Sequence, residues 1–330
     1  MDISLFDYEL PKELIAQEPI EERDKSKLMV LAGNRIEHRR FYELVEYLEK
    51  GDTLIINDSK VIHAKLKGKK ETGGKVEVLL VRNIEGSIWE CLIRGRKIRE
   101  GTKIFFKNLK AEVIQKKDKF ILKFDRENLE EYLEKWGEVP LPPYIKKELK
   151  NASRYQTVYA KKPGSIAAPT AGLHFSEKLL TQIEKKGVKI APITLHVSIG
   201  TFKPVKVEDI TKHKMEAEYF EISKKSAEII NNTEGKVIAV GTTTVRAIES
   251  SSVEGRVIPK KDWTNLFIYP SYKFRSPIRG LITNFHLPRS TLLMLVCAFA
   301  GREKILRAYK EAISKRYRFY SFGDAMLIFK

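Results

Sequence analysis

The chain has 330 residues, 42% of them hydrophobic and 32% charged, which suits about two folded domains and excludes disorder, collagen-like sequence and low-complexity assembly. Lysine and arginine outnumber the carboxylates by 61 to 43, a net charge of +18, and the excess lies beyond residue 59, the stretch before it being net acidic. Such a balance suits a polyanionic partner, with nucleic acid ahead of membrane because no basic amphipathic anchor helix stands out, or equally the lysine-rich surface of a heat-adapted protein.

The opening MDISLFDYELPKELIAQ lacks a basic start followed by an apolar run, and the longest apolar run, 292–300, is too short to cross a bilayer. A cytoplasmic protein is expected. Phe41, Leu44, Val45 and Leu48 recur at helical spacing with Gly51 as the stop, and TLIIN at 53–57 reads as a strand. Short β-rich runs follow at 76–82, 87–94, 102–106 and 119–124, separated at hairpin-like distances, the pattern of a compact antiparallel barrel or sandwich. Asn128 caps a predicted helix bearing Leu129, Tyr132, Leu133 and Trp136 and closed by Gly137, and the Pro-rich 139–145 follows as a boundary.

Beyond that boundary strands and helices alternate: a helix from Ser176 to Gly187, strands at 193–199 and 237–240, a helix at about 243–250, and LITNF leading to a helix near Thr291. Residues 1–59 share this character. The predicted fold class is therefore mixed α/β: a discontinuous α/β domain, 1–59 plus 151–330, interrupted by an antiparallel β-barrel domain at 60–150. The two cysteines, Cys91 and Cys297, are far apart and support neither a disulfide framework nor a cysteine zinc site.

No GxxxxGK[ST], GxGxxG or HExxH stretch is present, so ordinary nucleotide hydrolysis, dinucleotide binding and zinc-helix chemistry are set aside. What remains are polar, Gly-punctuated turns. Thr170, Gly172 and His174 open onto the helix at Ser176, whose unpaired N–H groups suit an anion as well as they suit an ordinary cap. On the predicted 193–199 strand Leu195, Val197 and Ile199 share one face and His196 and Ser198 the other. Gly241, Thr242 and Thr243 lie between a buried strand and a helix carrying Arg246, the strand-end position where open α/β sheets take ligands. Asn284 and His286 alternate at another strand end, and Asp324 stands in a turn before a terminal strand, where stabilising the turn is the competing account. His213, Glu216 and Glu218 match no common metal spacing, so no metal is expected. Lys315, Arg316 and Arg318 alternate with Tyr317, Phe319 and Tyr320, offering phosphate contacts and stacking faces to RNA; further basic clusters are Lys65/Lys67/Lys69/Lys70 and Lys146/Lys147/Lys150.

Together these stretches resemble the QueA family, S-adenosylmethionine:tRNA ribosyltransferase-isomerase, over nearly the whole chain. The resemblance rests on FDYELPKELIAQEP, NDSKVIHAKL, PLPPYI, RYQTVYA, AAPTAGLHF, TLHVSIGTFKPV, AVGTTTVRAIES, TNFHLPRSTLLMLVCAFAG and SFGDAMLI, in family order. Glu216, where the family pattern has a second histidine, and Ser198 and Ser271, where it has glycine, depart from it. The resemblance implies transfer and isomerisation of the ribosyl group of S-adenosylmethionine onto 7-aminomethyl-7-deazaguanine at the tRNA wobble position, giving epoxyqueuosine with release of adenine and methionine. It implies an α/β domain with an inserted barrel and no bound cofactor, S-adenosylmethionine being a co-substrate. The expected partners are that tRNA and S-adenosylmethionine, with no membrane, and the chain is expected to be a monomer. His174, His196 and His286 are the acid–base candidates, with Asp324 orienting an amine or imidazole; Thr170, Gly172, Gly241, Thr242, Thr243, Arg246 and Asn284 are candidates for substrate binding. The alternatives are a methyltransferase using the same donor and a non-catalytic tRNA-binding protein.

Overall fold

The computed structural model describes residues 1–198, 200 and 205–330; Ile199 and the TFKP of the quoted 194–205 motif lie outside the described residues. The chain divides into two compact units, one made of Met1–Lys60, Pro143–Lys162 and Ala168–Lys330, the other of Val61–Pro142 and Pro163–Ala167.

The first unit is built on a nine-stranded mixed sheet. Its order is Lys260–Thr264, Glu218–Ile222, Lys189–Leu195, Thr53–Asn57, Val237–Val240, Ile278–Asn284, Ala325–Phe329, Lys27–Ala32 and Arg35–Arg40. Thr53–Asn57 is buried at every position and runs parallel to both neighbours, Lys189–Leu195 and Val237–Val240; Ile278–Asn284 continues the parallel set. A strand from the start of the chain thus sits at the centre of a sheet completed much later in sequence. Asp52, fully buried, anchors its entry: its carboxylate accepts from the backbone N–H of Lys236 at 2.6 Å and of Glu49 at 2.9 Å. One core packs Leu28, Phe41, Leu54, Phe175, Ile183 and Leu327 together, each such side chain contributing about 1.5–3 kcal/mol by burial.

The second unit is a closed six-stranded antiparallel barrel, in the order Phe120–Phe124, Ile88–Arg94, Lys75–Glu85, Lys65–Lys70, Lys103–Phe106, Leu109–Lys116. Its interior is lined by Leu66, Val78, Leu80, Ile104, Val113 and Leu122. The helix Glu130–Trp136 has Leu129 rather than Asn128 at its N-cap, and the Asn128 side chain accepts from Glu130 N–H at 2.8 Å.

Several sequence expectations change. Phe41–Tyr47 is a 3₁₀ rather than an α-helix, its buried Phe41, Leu44 and Leu48 spaced three to four apart. The predicted 193–199 strand is Lys189–Leu195, because pairing with Thr53–Asn57 begins at Lys189 and accommodates Pro192 opposite Ile56. His196 and Ser198 therefore follow a strand instead of lying within one. In the barrel, Lys65–Lys70 and Leu109–Lys116 were not visible as strands: KLKGKK buries only Leu66. Relative to the expected 60–150 insertion, the chain returns to the first unit at Pro143, and 163–167 groups with the barrel.

Closure of the barrel depends on Gly68. A Cβ there would stand 2.7 Å from the Phe106 ring and 2.8 Å from the Phe105 carbonyl oxygen, across the pairing of Lys65–Lys70 with Lys103–Phe106. Gly68→Val is expected to cost at least about 1–3 kcal/mol through overpacking. In amide hydrogen exchange, protection should fall across 65–124 and persist in Thr53–Asn57; unchanged barrel protection would contradict this closure.

Candidate active site

Because the central strands are parallel, their carboxyl ends share one edge, and open α/β sheets bind ligands there. Asn57 and Asp58, His196, Gly241 to Thr243, and Asn284 all stand at that edge. In sheet order Asn284 and His196 are three strand spacings apart, roughly 14 Å at the usual inter-strand distance. Gly241 needs to be glycine, with φ at +94°, and its N–H donates to the Ile282 carbonyl at 2.8 Å, holding the turn into helix Thr242–Ser250 against the neighbouring strand.

The turn Thr170–His174, a 3₁₀ helix, is the hub. Ala171 lies 3.8 Å from where a Gly241 Cβ would be, and a Cβ on Gly172 would fall 2.1 Å from the Tyr159 hydroxyl and 2.8 Å from a Thr157 methyl. The His174 ring stacks on Phe41 with centroids 4.9 Å apart, its Nδ1 lies 2.7 Å from Ser26 Oγ, and its Nε2 is 3.3 Å from Asn284 Nδ2. Since the amide nitrogen can only donate, the network assigns the proton to Nδ1, which donates to Ser26. Burial above all, with the Arg318 and Arg23 charges adding, pushes this imidazole down to about 3, so the ring is neutral. Asn284 Nδ2 also donates to the Tyr320 carbonyl at 3.0 Å, which fixes the amide and leaves Oδ1 buried without a protein partner.

Thr243 Oγ1, Thr157 Oγ1 and the Tyr159 hydroxyl are likewise buried and unpartnered. Native interiors satisfy nearly all buried polar atoms, so these groups are candidates to meet a polar ligand. Thr157 and Tyr159, within the quoted RYQTVYA, were not singled out from sequence; nothing in their local pattern separates them from core residues. Asp58 was also missed. Its Oδ1 accepts from Thr194 Oγ1 at 2.7 Å, and burial raises the carboxyl above the usual range.

His196 is stacked near-parallel on Tyr219, centroids 5.8 Å apart, and its Nδ1 has no protein partner. Burial, then the Lys162 charge, lowers its pKa, keeping the ring neutral and able to take a proton. Thr170 starts the hub turn half-buried, and Thr242 begins the helix, buried.

Three candidates are engaged within the fold. Arg246, fully buried, forms an ion pair with Glu218 and donates from Nε to the Leu266 carbonyl at 3.0 Å, while the second Glu218 oxygen accepts from Ser198 N–H at 2.7 Å. Asp324 orients backbone, not an imidazole or amine, accepting from Lys27 N–H at 2.8 Å and Arg318 N–H at 2.7 Å. His286 is tied by Nε2 to Thr283 Oγ1 at 2.8 Å, its backbone N–H donates to the Tyr309 hydroxyl at 3.0 Å, and burial pushes its ring down to about 3, so it braces the strand end. In the basic 315–320 stretch, Tyr317 and Phe319 are buried against Phe285, which removes them as stacking faces; Lys315 and Arg316 remain exposed, and Arg318 donates to the Glu18 carbonyl.

A closed barrel inserted in the chain of a mixed α/β unit, whose unpartnered polar atoms gather at a parallel strand edge, defines a two-unit α/β protein with a candidate ligand site at its strand ends. Comparison with known proteins makes the class specific. The queuosine biosynthesis protein family matches residues 3–328, and the chain belongs to it. Similar proteins include the S-adenosylmethionine:tRNA ribosyltransferase-isomerase of Pelotomaculum thermopropionicum, 54% identical over 99% of this chain and all of that one, and that of Acetivibrio thermocellus, 52% identical with the same coverage. A crystal structure of S-adenosylmethionine tRNA ribosyltransferase from Thermotoga maritima matches with TM-score 0.56 and 40% identity, covering 98% of this chain and 100% of that one.

Two outcomes test the buried groups. Arg246→Ala should strand Glu218 and cost roughly 3–5 kcal/mol, read as a lowered urea midpoint, whereas a ligand-binding arginine would leave stability nearly unchanged. His174 and His286 have folded pKa values near 3 against 6.5 for the free side chain, so the unfolded chain takes up about two extra protons in acid. Stability should be full above pH 6.5 and fall progressively towards pH 3, with a shallower decline in the His174→Gln/His286→Gln double variant.

Proposed function

We propose that the chain is an S-adenosylmethionine:tRNA ribosyltransferase-isomerase that moves the ribosyl group of S-adenosylmethionine onto 7-aminomethyl-7-deazaguanine at the tRNA wobble position, releasing adenine and methionine. Family membership over residues 3–328 supports the reaction, and the single structural observation that supports its location is the set of buried, unpartnered polar atoms around Thr170–His174. S-adenosylmethionine is consumed as a co-substrate, with no resident cofactor or metal. The chain works as a cytoplasmic monomer; among the described residues no helix is long and apolar enough to cross a membrane.

The sulfonium acidifies the adjacent ribosyl C5′. A base removes that proton, adenine is eliminated, the deprotonated amine of the RNA base adds to the resulting vinyl sulfonium, and epoxide closure expels methionine as a neutral thioether. The donor supplies most of the reactivity, leaving the protein to orient two substrates and handle protons. We assign proton abstraction to His196, whose ring is neutral and has an Nδ1 without a hydrogen-bond partner among the described residues, in place of His174, both of whose ring nitrogens are engaged, and His286, which is buried and tied through Nε2 to Thr283. Asp58, on the adjacent strand with its raised pKa, takes the amine proton. Asn284 Oδ1, Thr243 Oγ1 and the Tyr159 hydroxyl hold the donor's polar groups, and His174 acts through Asn284 by fixing its amide.

With precursor-modified tRNA and S-adenosylmethionine, free adenine and methionine should appear together; S-adenosylhomocysteine instead would indicate a methyltransferase, and no product a pure binder. Tyr159→Phe and Thr243→Val should each raise the S-adenosylmethionine KM about three- to tenfold, the worth of one neutral hydrogen bond, without lowering Tm, since neither hydroxyl has a partner in the protein. The acid limb of kcat/KM should lie below pH 6.5 and vanish with the residual activity of His196→Asn.

A further inference from the structure

We propose that the barrel unit carries a phosphate-binding cleft for the backbone of the RNA substrate; this rests on the tRNA reading above and assigns it a surface. A cavity of about 1090 Å³ opens on the barrel, lined by residues of the strands Lys65–Lys70, Lys75–Glu85, Ile88–Arg94 and Lys103–Phe106 and of the turn after Arg94. Its cations divide into two groups. Lys67 pairs with Glu138 at 2.6 Å, Lys70 Nζ donates to the Arg96 carbonyl at 2.9 Å, and Lys107 Nζ lies over the Trp136 ring, 3.6 Å from its centroid, so these three are held by the barrel itself. Lys69, Lys75, Arg94 and Arg96 are exposed, and among the described residues none of their side chains meets a carboxylate. Glu77, the one acid on the lining, is taken by Lys65 at 2.9 Å.

The register sharpens this. Lys69 and Lys75 face each other directly across the antiparallel pair, an arrangement of like charges that destabilises a sheet. On the other side Lys69 lies opposite half-buried Phe105, which lines the same cavity. Four cations without a salt bridge among the described residues stand on a concave wall, two of them set against each other, and the single lining acid, Glu77 opposite Arg94, is already paired with Lys65, so the wall stays net positive and suits negative charge from outside the protein. A chain of phosphates supplies it at regular intervals along a curved surface. A flat lipid surface would engage only the rim, and acidic protein side chains lack the repeating spacing.

The test compares the variant Lys69→Gln/Lys75→Gln/Arg94→Gln/Arg96→Gln with a control that removes the same charge elsewhere on the barrel, Lys103→Gln/Lys117→Gln/Lys123→Gln/Arg126→Gln. Binding of unmodified tRNA transcript is titrated across a range of potassium chloride concentrations. Each lost phosphate contact should reduce the slope of log Kobs against log salt by about 0.7–0.9, so the cleft variant should show a slope smaller by about 3 while the control keeps that of the wild type. Its Tm should hold or rise as the Lys69–Lys75 repulsion is relieved, which separates lost contacts from lost folding. Equal slopes and affinities in wild type and cleft variant, or an equal loss in the control, would overturn the assignment. The assay needs no turnover, so failure of wild-type protein to release adenine would count against the proposed reaction and not against the cleft.

Discussion

The candidate site exists because four central strands run in the same direction. Parallel pairing of Lys189–Leu195, Thr53–Asn57, Val237–Val240 and Ile278–Asn284 forces their carboxyl ends onto one edge, and each end delivers a polar residue there. An antiparallel sheet would have divided Asp58, His196, Thr243 and Asn284 between opposite ends. The alignment also separates functions by strand: the outer two bring His196 and Asn284, the inner two bring Asp58 and the turn at Gly241. Spacing between the groups is then set by the sheet and not by flexible loops.

Holding polar groups at that edge requires other polar groups to be committed inside the fold. Arg246 and Glu218 neutralise each other in the buried interior while Glu218 also fastens the Ser198 amide. Asp324 clamps two backbone amides, joining the start of Lys27–Ala32 to the segment at Arg318. His174 spends both ring nitrogens, and the result is an Asn284 amide with only one orientation. The polar groups left without a partner among the described residues at that edge are the candidates to meet substrate. A residue's chemical type therefore says little about its role here until its partners are counted.

That explains what was legible in the amino-acid sequence and what was not. Strands with uniform apolar character, TLIIN and VIAV, were read at their observed bounds, and Ser176 and Ser290 mark their helix starts because capping is a local interaction. KLKGKK was missed because a barrel strand facing solvent on one side, with glycine at its tight crossing, carries almost no apolar signal. The turns at 170–174, 241–243 and 284 were found through glycine and capping patterns. The partners of Arg246 and Asp324 are not legible because they come from residues distant in sequence, and the same distance hides Thr157, Tyr159 and Asp58 among ordinary core positions.

The central position of Thr53–Asn57 has a consequence for how the molecule is made. Translation delivers this apolar strand before either of its neighbours, which begin at Lys189 and Val237. At about 5–20 residues per second the interval is on the order of ten seconds, during which LIIN has no sheet to join. The intervening barrel closes its own ladder and can be completed on the ribosome in that time. The nascent chain thus carries a finished unit behind an unfinished one, with its central apolar strand unpaired until both neighbours have been made.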